Sequence, residues 1–370
     1  MELLPSRFRD WFRERGWEPR PHQLALVEKV RGRSSCLLIA PTGAGKTLAG
    51  FLPSLVALSA AQPNAGRRLH TLYISPLKAL AVDVARNLLT PIDEMGLPIR
   101  VETRTGDTPP SRRQRQRVKP PDILMTTPEQ LALLLSGEDA GHLLGGVDTV
   151  VLDELHALAP SKRGDLLALG LARLRALSPG LACIGLSATV ARPSELRAYL
   201  VAQAAGGART DLAELVEVKG GAGPRISILE GDDPLPWSGH TAVYAMRRVY
   251  AAIRAHRLSI VFVNTRMQAE LAFHELWRIN DDNLAVALHH GSLDVAQRRK
   301  VEAAMAAGKL KAVVATSTLD LGIDWGDVDL VIHIGAPKGA SRLLQRIGRS
   351  NHRMDEPSEA LLVPSNRFEV

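Results

Sequence analysis

The stretch Pro41-Thr42-Gly43-Ala44-Gly45-Lys46-Thr47 directly follows the apolar run 36–40 and leads into an amphipathic stretch that begins at Leu48. A short apolar run, a glycine-rich turn and helical spacing predict a buried strand, a tight loop and a helix. Glycines in such a loop let backbone N–H groups approach an anion, and the helix N-terminus adds partial positive charge. We therefore predict that residues 41–47, the phosphate loop, bind a phosphorylated ligand.

The side chains of the phosphate loop divide into two roles. Lys46 would bring a full positive charge to the β and γ phosphates of a nucleotide, and Thr47 would ligate Mg²⁺. A glycine-rich turn with a surface lysine is the alternative, and the complete pattern between strand and helix argues against it. The predicted nucleotide-binding residues of the loop are Thr42, Gly43, Ala44, Gly45, Lys46 and Thr47.

The phosphate loop belongs to the first of two sets of alternating elements. Apolar runs in the first set lie at 36–40, 72–74, 123–126, 149–152 and 183–186, with amphipathic stretches at 48–60, 77–89 and 165–177. The second set has runs at 260–263, 285–288, 312–315, 330–334 and 360–363, with a helical stretch at 267–279. Such alternation predicts an α/β protein with mainly parallel sheets flanked by helices. We predict domains at 1–205 and 241–370, joined by a Gly- and Pro-rich linker at 206–240 with one strand at 225–229.

The composition is that of a globular protein with more than one core. The 370 residues are 45% hydrophobic and 23% charged, and such a length favours two domains. Cys36 and Cys183 alone cannot form a disulfide framework or a four-ligand zinc site, so we expect a reduced, cytoplasmic protein. Residues 1–17 lack an apolar export core and no apolar run reaches membrane length, so we expect neither export nor an anchor. The net charge of +7 favours a polyanionic partner.

A second motif, Asp153-Glu154-Leu155-His156, ends the apolar run 149–152. Its carboxylates would emerge at the same sheet edge as the phosphate loop, because parallel strands share that edge. Asp153 would hold Mg²⁺ through water, and Glu154 would orient and deprotonate an attacking water. Two acidic residues that begin a turn are the alternative.

At Asp153-Glu154-Leu155-His156 the chain resembles the DEAH/DEXH-box helicases of superfamily 2, and further motifs agree in order along almost its whole length. The resemblance implies two tandem RecA-like domains of the P-loop NTPase fold, with ATP and Mg²⁺ as cofactors. Ser187-Ala188-Thr189 resembles the motif that links hydrolysis to nucleic-acid binding, with His156, Ser187 and Thr189 as coupling residues. Gln23 resembles the glutamine whose side-chain amide pairs with adenine. An ordinary turn and a surface glutamine are the alternatives for these two.

Four further stretches resemble motifs that hold nucleic acid. Residues 75–80 and 126–129 resemble motifs Ia and Ib, and residues 263–266 and 316–324 resemble motifs IV and V. The resemblance implies contacts with the sugar-phosphate backbone that do not read bases. The residues that this implies are Pro76, Lys78, Thr127, Pro128, Asn264, Thr265, Arg266, Thr316 and Ser317, together with His290, for which a strand-end turn is an equal alternative. Gly322 and Asp324 are implied to sense the nucleotide.

Gln345-Arg346-Ile347-Gly348-Arg349 resembles motif VI, which supplies arginine fingers to the γ-phosphate of ATP. The resemblance implies that Arg349 is the principal finger and that Arg346 and Gln345 also serve catalysis. In the family a second finger lies three residues after the first. That position is His352 in this chain, with Arg353 adjacent, and either of the two is a candidate for the nucleotide contact.

The longer matches at 153–164, 319–329 and 345–353 resemble the Lhr-type branch, in particular the bacterial ligase-associated DEXH-box helicase. This resemblance implies ATP-dependent 3′-to-5′ translocation by a monomeric motor core on single-stranded DNA or a 3′-tailed duplex. It also implies a role in DNA repair, with a repair nuclease or ligase as partners. Relatives of this type continue into a winged helix, whereas this sequence stops at Val370, so we expect little processive unwinding from it.

Three other functions are compatible with these motifs. An RNA helicase is the nearest competitor, because phosphate contacts do not distinguish the sugar. A nucleotide-gated nucleic-acid clamp with little hydrolysis and an ATPase switch that acts on proteins are the others. The densest basic cluster is a nucleic-acid contact or a solvated helix face, and it comprises Arg112, Arg113, Arg115, Arg117 and Lys119.

Overall fold

The computed structural model describes residues 3–41, 43–60, 68–76, 88–188, 190, 192–204, 211–218, 220, 223–229, 236–237, 241–320, 328–337, 339–351 and 356–369. The chain forms two compact units, Met1–Ala40 with Gly45–Lys219 and Pro41–Ala44 with Gly220–Val370. Each unit contains one sheet with helices packed on it.

The first unit is built on a seven-stranded sheet among its described residues. Its strands are β1 Cys36–Ile39, β2 Thr71–Ile74, β3 Val101–Arg104, β4 Ile123–Thr126, β5 Thr149–Leu152, β6 Ala182–Ser187 and β7 Glu214–Glu217. Its helices are α1 Ser6–Glu14, α2 Pro21–Arg31, α3 Lys46–Ser59, α4 Pro110–Val118, α5 Pro128–Leu135, α6 Ala140–Leu144, α7 Leu155–Leu158, α8 Lys162–Leu177 and α9 Pro193–Tyr199. The strand order is β3-β4-β2-β5-β6-β1-β7 and every pairing is parallel.

The second unit repeats this plan on a six-stranded sheet. Its described strands are β8 Arg225–Ile228, β9 Leu258–Phe262, β10 Val286–His289, β11 Ala312–Ala315, β12 Val328–Ile334 and β13 Glu359–Val363. Its helices are α10 Met246–Ala255, α11 Arg266–Arg278, α12 Val295–Ala306 and α13 Ala340–Ile347, with short 3₁₀ turns at Val243–Ala245, Ser317–Leu319 and Arg367–Glu369. The order is β10-β11-β9-β12-β13-β8, again with parallel pairings.

The buried residues of the cores follow two sequence patterns, one typical of buried strands and one typical of amphipathic helices. Each of the strands β1, β2, β4 and β5 is buried along its whole length, as expected for parallel strands covered on both faces. On α8, Leu167, Leu171 and Leu174 are buried on one face, whereas Leu169 on the other is exposed. The leucine spacing that predicted a helix at 165–177 is therefore a packing face.

The predicted fold class is confirmed, because both sheets are parallel and flanked by helices. Two of the strands were not predicted from the sequence. The strand β3 is polar, with the sequence VETR, and β7 lies within the stretch assigned to the linker. The strand predicted at 225–229 is present as β8 and pairs with β13. Most of the helix predicted at 77–89 lies outside the described residues, and the domain boundaries at 205 and 241 stay predictions.

Within the described part of the chain, every helix is too short or too polar to cross a lipid bilayer.

Candidate functional site

Two glycines of the phosphate loop adopt backbone angles that other residues rarely accept. Gly43 has a φ of 74°, and Gly45, at the N-cap of α3, has a φ of 72°. A Cβ is strained in this region, so glycine is favoured at both positions. Nζ of Lys46 donates to the carbonyl oxygen of Ala40 at 2.9 Å, which places an ammonium group beside the end of β1. A helix N-terminus and a lysine are thereby combined as phosphate binding requires. Thr42 lies outside the described residues.

Gln23 packs against the phosphate loop from α2. A Cβ added to Gly45 would lie 3.3 Å from Nε2 of Gln23, and Gln23 is buried. Its Oε1 accepts the backbone N–H of Arg20 at 2.9 Å and so caps the start of α2. Gln23 therefore caps its own helix and lies close to the phosphate loop, and its contact with adenine stays a prediction.

The Asp153 carboxylate is held by Tyr73, a residue whose role the sequence did not predict. Oδ2 of Asp153 accepts the hydroxyl of Tyr73 at 2.5 Å, and Oδ1 accepts the backbone N–H of Glu154 at 2.9 Å. The Tyr73 ring stacks on Phe51 of α3, with ring centres 4.7 Å apart. Burial, together with the nearby Glu154 carboxylate, raises the pKa of Asp153 to about 6. Burial raises the pKa of Tyr73 well above its ordinary value, so its hydroxyl remains a donor. A tyrosine in a buried strand looks like a core residue, and no sequence signal marked it.

Glu154 adopts a strained backbone and heads a chain of polar contacts. Its φ of 48° lies in the left-handed region, which costs a non-glycine residue about 1–3 kcal/mol and occurs preferentially at functional sites. Oε2 of Glu154 lies 3.5 Å from Nε2 of His156, whose Nδ1 lies 3.2 Å from Oγ of Ser187. Burial, with Lys46 nearby, lowers the pKa of His156, so its imidazole is neutral near pH 7. The structure thus brings the carboxylate, histidine and serine together, while Thr189 lies outside the described residues.

The donor set fits a Mg²⁺ ion that shares its shell with phosphate and water. Asp153 offers a buried carboxylate, and Thr47, the second residue of α3, offers a hydroxyl. In the described ranges no three His, Cys, Asp or Glu side chains are grouped as an all-protein metal site would need. Mg²⁺ commonly binds through one or two protein oxygens and completes its shell with waters and substrate phosphates. The residues present therefore suit Mg²⁺ carried with a nucleotide.

The loops after β2 and β4 carry the predicted nucleic-acid residues of the first unit. Pro76 follows β2 and is buried, whereas Lys78 lies outside the described residues. Thr127 occupies the N-cap position of α5 and Pro128 its first turn. Ile74 and Thr126 are register partners on the neighbouring strands, so the two loops leave the sheet side by side.

In the second unit, the motif IV side chains are engaged within the fold. Oγ1 of Thr265 caps α11 by accepting the N–H of Gln268 at 3.2 Å. Nδ2 of Asn264 donates to the carbonyl oxygen of Ala336 at 2.7 Å, and Arg266 pairs with Glu270 at 2.9 Å on the surface of α11. Asn264 and Thr265 thus shape the loops at the strand ends, and their contacts with nucleic acid stay predictions.

The loops after β10 and β11 carry the remaining described candidates. His290 is buried, with Nε2 3.4 Å from the Glu270 carboxylate. Thr316 is half-buried and Ser317 exposed, so both hydroxyls are near the surface. Thr318 is tied to His289, whose Nδ1 lies 2.8 Å from Oγ1 of the threonine. Gly322 and Asp324 lie outside the described residues.

Both described arginines of motif VI, Arg346 and Arg349, are buried. Arg346 has an exposed fraction of 1%, and its guanidinium donates to Asp320 at 2.6 Å and to His333 at 2.7 Å. This buried ion pair suits a residue that organises the second unit, and the assignment of Arg346 as a catalytic group stays a prediction. Arg349 follows α13 and is 7% exposed, with its backbone N–H bonded to the Arg346 carbonyl oxygen at 3.0 Å.

The segment around Arg349 is fixed to both neighbouring strands. Oγ of Ser350 accepts the N–H of Glu359 at 2.8 Å, and the N–H of Asn351 donates to the Val328 carbonyl oxygen at 2.8 Å. Nε2 of Gln345 is buried and has no hydrogen-bond partner within the described part of the chain. His352 and Arg353 lie outside the described residues, so the choice between them stays open.

Two carboxylates offset part of the positive charge of the basic cluster at 112–119. Arg112 and Arg115 both pair with Glu102 of β3, and Arg117 pairs with Asp139. Arg113 donates to the carbonyl oxygen of Gly106 at 2.8 Å. These contacts favour the solvated helix face over a nucleic-acid contact, and the latter stays a prediction.

The fold and the site define the class: a P-loop ATPase with two parallel-sheet units, a phosphate loop and a carboxylate pair. The sequence matches the DEAD/DEAH box helicase family over residues 20–196 and the helicase conserved C-terminal domain over residues 244–354. Both units have RecA-like relatives among solved structures, including the DEAD-box helicase Mss116, which matches with a TM-score of 0.81 but is only 18% identical and shows the fold alone.

Relatives that are more similar in sequence share one name. The Lhr helicase/probable uracil glycosylase of Mycolicibacterium smegmatis is 38% identical over 98% of this chain and 26% of its own length. The ATP-dependent helicase Lhr-Core of Methanocaldococcus jannaschii is 34% identical over 100% of this chain and 44% of its own. The solved structure of Mycobacterium smegmatis helicase Lhr bound to ssDNA and AMP-PNP matches with a TM-score of 0.85 and 39% identity, over 99% of this chain and 48% of that one. The chain belongs to the DEAD/DEAH-box helicases, of the Lhr type. It spans less than half the length of each of these relatives.

Proposed function

We propose that this chain is the motor of an ATP-dependent helicase, which hydrolyses ATP and uses the energy to move 3′-to-5′ along single-stranded DNA. The observation that carries this proposal is the 39% identity, over 99% of the chain, to an Lhr helicase solved with ssDNA and AMP-PNP. The buried Asp153, the strained Glu154 and Lys46 at the start of α3 supply the matching chemistry.

The site residues of the first unit, together with Arg349 of the second, each have a part in the proposed hydrolysis. Lys46 and the glycine N–H groups bind the β and γ phosphates. Glu154 orients a water and takes its proton, while the water oxygen bonds to the γ-phosphorus and the bond to the β–γ bridging oxygen breaks. Asp153 and Thr47 would hold Mg²⁺, which neutralises the charge on the phosphate oxygens when it is bound. Tyr73 keeps the Asp153 carboxylate in place, and Arg349 is the arginine that we assign to the transferring phosphoryl group.

DNA is the proposed track because the related Lhr structure contains it. The hydroxyls and N–H groups after β2, β4 and β11 suit phosphate contacts that do not depend on sequence. A role in DNA repair, with nuclease or ligase partners, a monomeric state and a cytoplasmic location belong to the same proposal and rest on the resemblance of the sequence.

Steady-state ATP hydrolysis with Mg²⁺ tests the proposal. Rates are compared without polynucleotide and with single-stranded DNA, single-stranded RNA or duplex DNA at one salt concentration, because phosphate binding depends strongly on salt. Stimulation by single-stranded DNA supports the proposal, and stimulation by RNA alone replaces it with an RNA motor. No stimulation by any polynucleotide contradicts it and favours a protein-directed switch. Tight nucleotide-dependent DNA binding without turnover would indicate a clamp.

Direction is tested on the same preparation. A 3′-tailed duplex and a matched 5′-tailed duplex of identical sequence are compared for strand separation, and streptavidin displacement is compared from either end of a single strand. Movement 3′-to-5′ separates the 3′-tailed duplex and releases streptavidin from the 5′ end. The opposite preference would contradict the proposed direction.

A further inference from the structure

Arg163, the second residue of α8, joins two loops that the fold leaves side by side. Its Nε donates to Oε1 of Glu129 at 2.5 Å and its Nη2 to Oε2 of the same carboxylate at 3.0 Å. Its Nη1 donates to the backbone carbonyl oxygen of Pro76. One guanidinium thus uses three donors at once, two on a carboxylate and one on the main chain.

The two partners lie in the loops proposed to hold nucleic acid. Pro76 follows β2, and Glu129 is in the first turn of α5, directly after Thr127 and Pro128. A planar guanidinium that binds a carboxylate through two parallel bonds fixes orientation as well as distance. The position of one loop relative to the other is therefore set by Arg163.

The backbone of Arg163 is connected through a short turn to α7, the helix that begins beside the catalytic carboxylate. Glu154 is the N-cap of α7, and a tight turn leads from α7 to α8. Oγ of Ser161 accepts the N–H of Gly164 at 3.2 Å and donates to the carbonyl oxygen of Leu158 at 2.7 Å. The hydroxyl of Tyr199 donates to the Gly164 carbonyl oxygen at 2.6 Å.

The turn between α7 and α8 has no room for a side chain at Gly164. A Cβ on Gly164 would lie 2.4 Å from the carbonyl oxygens of both Leu158 and Ala159, closer than side chains and backbone ever approach. A closely packed turn therefore connects the backbone of Arg163 to α7, which gives a short contiguous route between Glu154 and the guanidinium.

The Arg163 and Glu129 side chains are 38% and 46% exposed, but the geometry of their contact differs from that of a single-contact surface pair. Exposed pairs such as Arg192 with Glu195 make a single contact three residues apart in one helix, and pairs of that kind contribute little to stability. Arg163 and Glu129 are 34 residues apart and meet through two parallel bonds, with a third bond to another loop. The Arg163 side chain lowers the pKa of Glu129 to about 2, so the carboxylate stays charged at any working pH.

We infer that Arg163 is a positioning residue that couples the catalytic motif to the nucleic-acid loops of the first unit. It holds the loops after β2 and β4 in the register that binds a phosphate backbone and links that register to the helix beginning at Glu154. This inference rests on the proposed function and adds a contact route to it, separate from the Ser187-Ala188-Thr189 motif.

The test compares Arg163→Ala, Arg163→Lys, Glu129→Gln and the double variant Arg163→Ala with Glu129→Gln. Arg192→Ala is the matched control, because it removes an exposed arginine from an ion pair far from these loops in sequence. The readouts are the single-stranded DNA concentration that half-saturates ATP hydrolysis, the KM for ATP and the melting temperature. Hydrogen exchange of the amides in 126–131 is measured without nucleic acid.

Arg163→Ala is expected to raise the half-saturating DNA concentration about tenfold, with a much smaller change in the KM for ATP. Arg163→Lys keeps the positive charge but loses the planar guanidinium that makes two parallel bonds. An intermediate rise in the half-saturating DNA concentration is therefore expected. The double variant should be no worse than Arg163→Ala, because both changes remove the same interaction. Faster exchange at 126–131 should accompany each shift, and Arg192→Ala should match the parent.

Three results would overturn the inference: an unchanged half-saturating DNA concentration in Arg163→Ala, additive effects in the double variant, or parental exchange at 126–131. A lowered melting temperature with equal shifts in both concentrations would mean a merely structural role, and it counts against the inference too. If no polynucleotide stimulates the parent, the proposed function fails, and the exchange measurement still decides whether Arg163 positions the loop.

Discussion

Arg346 and Asp320 form an ion pair in the interior of the second unit. Nε of the arginine donates to Oδ1 of the aspartate at 2.6 Å, and Nη1 donates to Nε2 of His333 at 2.7 Å. The guanidinium also lies 4.7 Å from the ring centre of Phe262 on β9. Asp320 follows the turn after β11, whereas Arg346 is on α13, so the pair connects motif V to motif VI. The arrangement separates the two arginines of motif VI into one that organises the fold and one, Arg349, that we assign to catalysis.

Asp320→Ala should destabilise the second unit strongly. It leaves a buried guanidinium without its counter-charge, which costs about 3–5 kcal/mol of unfolding free energy. Arg342→Ala is the control, because Arg342 also contacts Asp320, at 3.2 Å, but is partly exposed and should cost about 1 kcal/mol or less. Urea denaturation measures both. Equal, small losses in the two variants would contradict the structural role of the pair.

Arg349→Ala should lower nucleic-acid-stimulated turnover about 10³-fold, because arginine fingers stabilise charge that develops only in the transition state. The affinity for ATP should change far less than kcat. The unfolding free energy is measured on the same sample to separate a loss of catalysis from a loss of fold. Turnover close to the parental value would refute the assignment of Arg349.

Glu154→Gln should abolish hydrolysis while ATP binding is retained. The amide keeps the shape of the carboxylate but cannot accept the proton of the attacking water. Single-turnover hydrolysis and binding of a fluorescent ATP analogue check the two halves of this expectation. Parental turnover in Glu154→Gln would show that another group is the base.

The stability of the second unit should depend on pH through His333. Burial beside the Arg346 guanidinium lowers the pKa of His333 from 6.5 to about 4, and its Nδ1 donates to the Gly335 carbonyl oxygen at 3.0 Å. Between these values the unfolded chain binds a proton that the folded protein does not. The contribution of neutral His333, about 3 kcal/mol, is therefore complete above pH 6.5 and lost as the pH falls towards 4.

His333→Gln provides the comparison for that prediction, since glutamine can accept from Arg346 but does not titrate. The difference in unfolding free energy between parent and variant should shrink as the pH is lowered from 7 to 4, measured by denaturation at several pH values. A difference that stays constant over this range would show that His333 is not the titrating group.

Gly164→Ala should destabilise the first unit by about 1–3 kcal/mol, because the added methyl group would lie 2.4 Å from two backbone carbonyl oxygens. Gly141→Ala is the matched control: it lies in α6, and a Cβ there meets nothing within 4 Å. That change should be neutral or slightly stabilising. Thermal melting compares the pair, and similar shifts in both would contradict the tight turn.

Features that are local along the chain could be predicted from the sequence. The phosphate loop could be recognised because strand, glycines, Lys46 and helix are contiguous, and the apolar runs marked the buried parallel strands because such strands are covered on both faces. The same reasoning failed for β3 and β7, whose polar edge positions break the apolar pattern.

Which distant side chains meet could be seen only once the chain was folded. The bond from Tyr73 to Asp153 joins residues 80 apart, and Arg163 reaches Pro76 across 87. The resemblance to motif VI implied that Arg349 is the principal arginine finger and that Arg346 also serves catalysis. Arg346 lies about one helical turn before Arg349, and its side chain contacts Asp320 and His333 in the interior. Local spacing limits the backbone conformation, whereas burial and ion pairing depend on how distant strands are ordered in the sheet, and no local pattern records that order.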